Sequence, residues 1–455
     1  MKKLLGIILA VAILFSCTFT GTVSAATGNF SKNGKNFVKN IGAGWNLGNT
    51  FENYKLGVGP LEQESCTYNP TTQKGMIDLV ANTGYNAIRI PVSWGPQTTY
   101  SNGKYTVNSV FISRLKEVIS WCYSYNMYVI INMHHDDQKW LNISANDTEW
   151  KNVKEQYKQT WQQIATAFKD YDEHLILEAG NEILATASFD GCGSGTGKCW
   201  WGHSQKSFDR QNELYKIFYE VVRSSGGNNG ERYIMFPTYG AQWYTNQLHK
   251  LYLPYGDKNV IVDIHWYSVG DQINTNTLNS YANAWVNHLH TQNLGIVIGE
   301  CGFNYKTSTS TKLKWANTFV KHLRQNLNIP VFIWDDGGDM RWMNRKAQGD
   351  GYYSWDSDGT YDSIEAAFLV ASISNEALYG PDIDPENPDP DKIVQGDINK
   401  DGIFKVSDIL FYIRYLEKNP SFFNVIGEMP ETGDMNGDGE YNTHDVFIMR
   451  KQLAW

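Results

Sequence analysis

The sequence predicts a (β/α)8 barrel of the α/β class, followed by a small all-α tail of two EF-hand-like loop-helix repeats. Three observations carry this expectation. Across about 350 residues, short runs rich in β-branched residues alternate with amphipathic stretches of helical length. Ionisable and amide residues stand where those runs stop, and an Asp-rich loop is duplicated near the C-terminus. At 455 residues the chain is longer than one average domain, though a barrel can absorb well over half of it.

In chain order, residues 1–25 (MKKLLGIILAVAILFSCTFTGTVSA) have a basic start, a short apolar centre and a small-residue end. This is the three-part pattern of a secretory signal peptide. The alternative is a lipid anchor at Cys17, against which the bulk of Phe15 counts. Residues 26–378 are the expected barrel. Its eight candidate strands are IGAGWNL, AIRIPV, YVIINM, LILEAG, YIMFPT, VIVDIHW, GIVIGE and PVFIWD. Between them, SVFISRLKEVISWCYSYN and TKLKWANTFVKHLRQNL repeat apolar residues at steps of three and four, which gives one buried helix face.

In this fold chemistry gathers at the C-terminal strand ends. Those ends carry Asn46, Arg89, His134 with His135, Asn181 with Glu182, His265 with Tyr267, Glu300, and Trp334. Glu182 is expected to close the fourth strand and Glu300 the seventh, so that both face one cleft. Two facing carboxylates are what glycoside hydrolysis requires, one to protonate the leaving oxygen and one to attack the sugar carbon or to assist water. Asn181 is placed to hydrogen-bond a sugar hydroxyl. The His134-His135 pair invites a metal reading, but adjacent strand residues point to opposite faces, and no catalytic cofactor is expected.

Composition narrows the partners. The formal net charge is -9, and from Pro381 onward 15 acidic residues face 7 basic ones, so nearly all the excess lies in the tail. Neither part offers the basic face that nucleic acid needs. No run after the leader approaches the roughly 20 apolar residues of a membrane span. Five cysteines follow the leader, of which Cys192 and Cys199 share one Gly-rich loop and could bridge. Trp94, Trp140, Trp200, Trp201, Trp243, Trp266, Trp334 and Trp342 lie past strand ends, where flat rings either stack on sugars or fill the core.

Residues 379–394, Pro- and Asp-rich, read as an extended linker. Residues 395–455 follow. The loops DINKDGIFKVSD and DMNGDGEYNTHD place oxygen ligands at positions one, three and five, Gly at six and a carboxylate at twelve, the pattern that wraps calcium. The expected ligands are Asp397, Asn399, Asp401, the Ile403 backbone and Asp408 in the first loop. In the second they are Asp434, Asn436, Asp438, the Glu440 backbone and Asp445.

LEAGNEIL, VIGECG, AIRIPVSW, INMHHD, DIHWY and FIWDD together resemble glycoside hydrolase family 5, whose cellulases share an Asn-Glu acid/base and a nucleophilic Glu. The resemblance implies a retaining endo-β-1,4-glucanase, with Glu182 as acid/base and Glu300 as nucleophile roughly 5 Å apart. It also implies Arg89 beside the nucleophile, His134 and Asn181 at the sugar, His265 and Tyr267 between the carboxylates, and Trp334 as a stacking platform. Ile183 stands where the family usually has Pro, and the loop after strand four is long. Other β-glycanases of the family, such as a xyloglucanase, mannanase or lichenase, are therefore alternatives. A non-catalytic carbohydrate-binding scaffold component is a further one, against which the presence of both glutamates counts. The tail resembles a dockerin. That implies two structural calcium ions, a cohesin module of a scaffoldin as partner through Val406, Ser407, Thr443 and His444, and a secreted, cellulosome-associated enzyme with a monomeric catalytic domain.

Overall fold

The computed structural model describes residues 28–202, 204–267, 275–348 and 352–355, together with 364, 367–369, 371–372, 396–398, 408–409, 412, 429–437, 439–442, 445–446 and 448–449. The proposed leader and linker lie outside the described residues. So do the expected ligands Asn399, Asp401, Ile403 and Asp438 and the residues expected to face a partner, Val406, Ser407, Thr443 and His444.

Eight parallel strands close into a barrel. Numbered in chain order they are β1 (Ala43–Leu47), β2 (Ala87–Ile90), β3 (Tyr128–Ile131), β4 (Leu175–Glu178), β5 (Ile234–Pro237), β6 (Val260–His265), β7 (Gly295–Cys301) and β8 (Val331–Asp335). Each falls within, or one residue past, the run expected from sequence. The seam pairs β1 with β8, Ala43 opposite Val331.

Strand alternation splits the core in two. Ala87, Tyr128, Ile130, Ile176, Met235, Ile261, Val297 and Phe332 form one buried cluster inside the barrel, while Val129, Ile131, Leu175, Leu177, Ile296 and Ile298 join the outer core. Phe30, Phe37, Val38 and Ile41 belong to the inner cluster. The chain before β1 thus plugs the barrel floor, with Phe37 stacked on Tyr233 at 3.6 Å. This plug was not read from the sequence.

The helices begin and end where local chemistry dictates. Asn146 caps Asp147–Phe168 through a capping box with Glu149, and Asn108 caps Ser109–Tyr123. The expected helix over 311–327 is α-helical at Thr309–Trp315 and then turns π-helical at Ala316–Val320 and His322–Asn326. Among the described residues, no helix is long and apolar enough to cross a membrane.

Arg232, fully buried, fixes the approach to β4. Its guanidinium donates to the carbonyls of Phe168, Tyr171, Asp172 and Leu175, at 2.7–3.0 Å, and to Asn229 Oδ1. It thereby joins the end of the preceding helix to the start of the strand that leads to Glu182. Burial lowers its pKa to about 10, so it stays cationic at neutral pH. Arg232→Met should lower stability by about 3 kcal/mol or more, because those carbonyls lose their donor without water to replace it. Urea unfolding monitored by circular dichroism measures it, and a loss below about 0.5 kcal/mol would remove this role.

Candidate active site

The inward face of the strands changes character toward their C-terminal ends. Above the apolar layer stand Asn46 on β1, Arg89 on β2, Glu178 on β4, Asp263 and His265 on β6, and Trp334 on β8, all following the two-residue period. Glu300 does not. Ile298 faces Val331 and Cys301 faces Ile333, so β7 holds one extra residue against β8, and the β6–β7 register shifts at the same level. The bulge turns Glu300 inward, a re-aiming that bulges commonly perform beside active sites. Gly299 permits it, since a Cβ there would lie 2.3 Å from Asp263 Oδ1. The Gly299 amide instead donates to that oxygen at 2.8 Å.

Arg89 organises the centre. Its Nε and Nη2 donate to the two oxygens of Glu178 at 2.8 and 3.0 Å, and Nη2 also donates to Asn181 Oδ1 at 3.0 Å. Nη1 donates to Glu300 Oε1 at 2.7 Å and to Asn46 Oδ1 at 3.0 Å. Asn46 is itself oriented by donating to the carbonyls of Gly299 and Ile333. The second oxygen of Glu300 accepts from the Tyr267 hydroxyl at 2.7 Å. Burial of that hydroxyl, and then the charges of Glu300 and Glu182, push its pKa well up, so it remains a donor. The ring of Tyr267 is 39% exposed.

Glu182 lies four residues past the end of β4 instead of closing it, because the chain leaves the sheet at Glu178. It is reached by His265, whose Nδ1 is 2.9 Å from Glu182 Oε1 and 3.6 Å from Glu300 Oε2. One oxygen of each glutamate and a ring nitrogen of His265 all lie within 4.8 Å of one another. Asp263 Oδ2 holds the other ring nitrogen at 3.1 Å. Burial alone would lower the His265 pKa, but the charges of Glu300 and Asp263 and the hydrogen bonds to Asp263 and Glu182 outweigh it and raise it well above the ordinary value.

His134 and His135 correct an expectation. They follow the end of β3 at Ile131, so strand alternation no longer applies, and their rings meet edge to face at 4.5 Å. His134 is buried and lies parallel to Trp334 at 5.7 Å. Asn132 accepts from the Val92 amide, which turns its own amide group to donate to His134 Nδ1 at 3.1 Å. Nε2 then carries the proton, 4.0 Å from Glu300 Oε1. Burial lowers the pKa of His134 well below the usual value and that of His135 to about 4.

Two residues went unread in the sequence. Glu178 and Asp263 are fully buried carboxylates beneath the site, one bidentate to Arg89 and one on His265. Each is the one carboxylate of its apolar strand run, and a buried charge without a partner is costly; that signal was available. Burial pushes Glu178 up to about 8 against the pull of Arg89, and the nearby charge of Asp263 adds to the rise. Of the aromatic residues, Trp94 and Trp342 are wholly buried core, whereas Trp200 and Trp201 are exposed. Cys192 and Cys199 form a disulfide.

In the tail, Asp408 and Asp445 are buried, and each folds back onto the second residue of its loop, accepting from Ile398 and Met435 at 2.8 Å. Asp434 accepts from the amides of Gly437 and Gly439. These oxygen donors suit a hard cation such as calcium.

A family model described as Cellulase (glycosyl hydrolase family 5) matches residues 48–339, and one described as Dockerin type I domain matches residues 395–454. Endoglucanase A of Clostridium longisporum is 33% identical over 318 residues, 66% of this chain and 58% of its own length. Cellulase/esterase CelE of Acetivibrio thermocellus is 31% identical over 427 residues, 86% of this chain and 48% of its own. The chain therefore spans between 48% and 58% of these two relatives. Among solved structures, a broad specificity endoglucanase from Clostridium longisporum superposes with a TM-score of 0.66 at 28% identity, over 75% of this chain and 98% of that one. A xyloglucan-specific endo-β-1,4-glucanase from a metagenomic library gives 0.64 at 29%, over 73% and 97%.

The raised pKa of Glu178 has a stability consequence whose sign is fixed. A carboxyl that prefers its proton when folded contributes stability that is fully present below its ordinary value of 4.5 and is lost as pH rises to about 8. Glu178→Gln, neutral throughout, should lose less stability than the parent between those limits. Urea midpoints at about pH 5 and about pH 8 compare the two slopes, and equal slopes would sink the assignment.

Proposed function

The chain belongs to glycosyl hydrolase family 5, and on that premise we propose that it is an endo-β-1,4-glucanase hydrolysing internal bonds of cellulose and related β-glucans with retention of configuration. The observation that carries this is the placing of Glu182 and Glu300 with carboxylate oxygens within 4.8 Å. Retaining enzymes hold their carboxyls about 5–5.5 Å apart, whereas inverting ones need about 6.5–9.5 Å to admit a water. Glu300, with one oxygen held by Arg89 and the other by Tyr267, attacks the anomeric carbon. As that bond forms, the bond to the leaving oxygen breaks, and Glu182 gives its proton to that oxygen. Water then attacks the glycosyl-enzyme ester, loses its proton to Glu182 and releases Glu300. Asn181, held by Arg89, bonds a hydroxyl of the reacting sugar, and Trp334 stacks on its ring. His135, next to the site, shapes its wall.

A second reading, acceptance of xyloglucan or mixed-linkage glucan as well, is favoured by solved relatives of similar identity, one named broad specificity and another xyloglucan-specific. Residues 26–378 form the catalytic unit, monomeric, and residues 395–455 a dockerin that holds two calcium ions and docks on a cohesin of a scaffoldin. Asp397, Asp408, Asp434, Asn436, Asp445 and the Glu440 carbonyl, with Asn399, Asp401, Ile403 and Asp438, supply the ligands. Val406, Ser407, Thr443 and His444 face the partner. The leader directs secretion, and the dockerin brings the secreted enzyme to a cellulosome.

Glu300→Gln and Glu182→Gln should each lower kcat by roughly four orders of magnitude with the fold retained. Azide should partly rescue Glu182→Ala on an aryl cellobioside, whose good leaving group does not need the acid. Near-normal turnover by either Gln variant would remove the mechanism.

Calcium removal separates the modules. A tail of about 60 residues has little core of its own, and its clustered carboxylates repel one another without a cation. With a chelator, cohesin pull-down should fail while hydrolysis of soluble substrate continues. Binding that survives chelation would overturn the module's assignment, and loss of hydrolysis would overturn its independence.

A further inference from the structure

The loop that follows Glu182 ends in two tryptophans, and their setting is unusual for apolar side chains. Trp201 is 57% exposed and Trp200 41%. Yet the backbone that carries them is fastened on every side. Before them, Thr186 and Lys198 form an antiparallel bridge, the Cys199 amide donates to Ala185 O at 2.9 Å, and Cys199 is buried in its disulfide to Cys192. Lys198 Nζ donates to Leu184 O, two residues past Glu182. After them, Gly202 takes φ +63°, and a Cβ there would lie 2.6 Å from the Phe208 ring. That close approach turns the chain at Trp201. The Trp201 carbonyl accepts from Gln247 Nε2 at 2.7 Å, and its ring meets Tyr244 at 5.3 Å. Tyr244 in turn stacks on Trp243 at 4.3 Å, and Trp243 lies parallel to Trp266 at 4.8 Å.

An indole that is held still and kept in water is a binding face awaiting an apolar partner, because leaving it exposed forgoes the burial that most tryptophans gain. The barrel's topology says which part of a sugar chain it meets. In the closed order of strands, β4 and β8 are four places apart in either direction and therefore stand diametrically opposite. Trp334 lies one residue before the end of β8, and the Trp201 loop leaves β4. The group that protonates the leaving oxygen must lie beside the departing sugar, and Glu182 shares its strand end with the Trp201 loop.

We propose that Trp201, backed by Tyr244, is a sugar-binding platform on the leaving-group side of the cleft, taking the face of a β-linked glucose residue downstream of the cleaved bond. This rests on the glucanase reading above. Polymer segments that run from Trp334 to Trp201 span both sides of the scissile bond, which favours cleavage within chains over trimming of ends.

The test compares substrates that differ only in what departs. Cellopentaose leaves a sugar that can reach the platform, whereas an aryl β-cellobioside leaves a phenol that has no pyranose ring. In Trp201→Ala the ratio of kcat/KM for cellopentaose to that for the aryl cellobioside should fall about tenfold, the equivalent of one lost ring-face contact. Trp201→Phe should restore most of the ratio, since a flat face remains. An unchanged ratio in Trp201→Ala, or an equal loss on both substrates, would overturn the platform. Failure of the parent enzyme to cleave the aryl cellobioside would instead strike at the glucanase reading.

Discussion

Everything at the mouth of the barrel is organised around one cation that has no access to water. Arg89 is fully buried, and its guanidinium reaches Glu178, Glu300, Asn181 and Asn46, which come from three different strands or their ends. A charge in that position is tolerable only if its donors are met by fixed acceptors. The requirement works in both directions. It holds Glu300 and Asn181 in place, and it gives Glu178, at the end of β4, a partner for both of its oxygens. His265 makes the matching arrangement on the other side, fixed from below by Asp263 and presenting one nitrogen to both Glu182 and Glu300. Arg89 and His265 thus stand on buried acids, a lower tier of acceptors that keeps the upper tier in register.

Much of this was legible in the sequence, for a physical reason. A parallel strand buried on both faces reads as an apolar run, so the eight runs were distinct, and each polar residue that interrupted a run near its end marked the catalytic face. Asn46, Arg89, His134, Asn181, Glu182, His265, Tyr267, Glu300 and Trp334 are brought together at one end of the barrel as that pattern expects. What was not legible depends on local departures from regular geometry. Alternation from Val297 would send Glu300 outward, and only the bulge beside Gly299 reverses it. The side-by-side histidines were assigned to opposite faces by strand geometry they had already left. Glu178 and Asp263 were passed over because they sit inside runs whose other members are apolar, although that isolation is what marks them.

The two parts of the chain solve the problem of buried carboxylates differently. In the barrel, cationic side chains face the acids of the site, Arg89 meeting Glu178 and Glu300, and His265 meeting Asp263 and Glu182. In the tail, Asp408 and Asp445 accept backbone amides, and Asp445 accepts the Tyr412 hydroxyl as well.

The barrel's seam sets a schedule for the nascent chain. Ala43 lies opposite Val331 in the β1–β8 pairing, so the first strand can find its partner only when the last has been made. Until then β1 presents an open edge, Arg89 lacks Glu300, and the floor plug of Phe30 and Phe37 has only part of its socket. The acids and cations of the site therefore come together late and all at once, as the cylinder shuts. A chain interrupted before β8 would already carry Arg89, Glu178, Asp263, His265 and Glu300 but lack the strand that closes the cylinder around them, and charged groups not yet brought together would keep it from settling into a stable near-barrel.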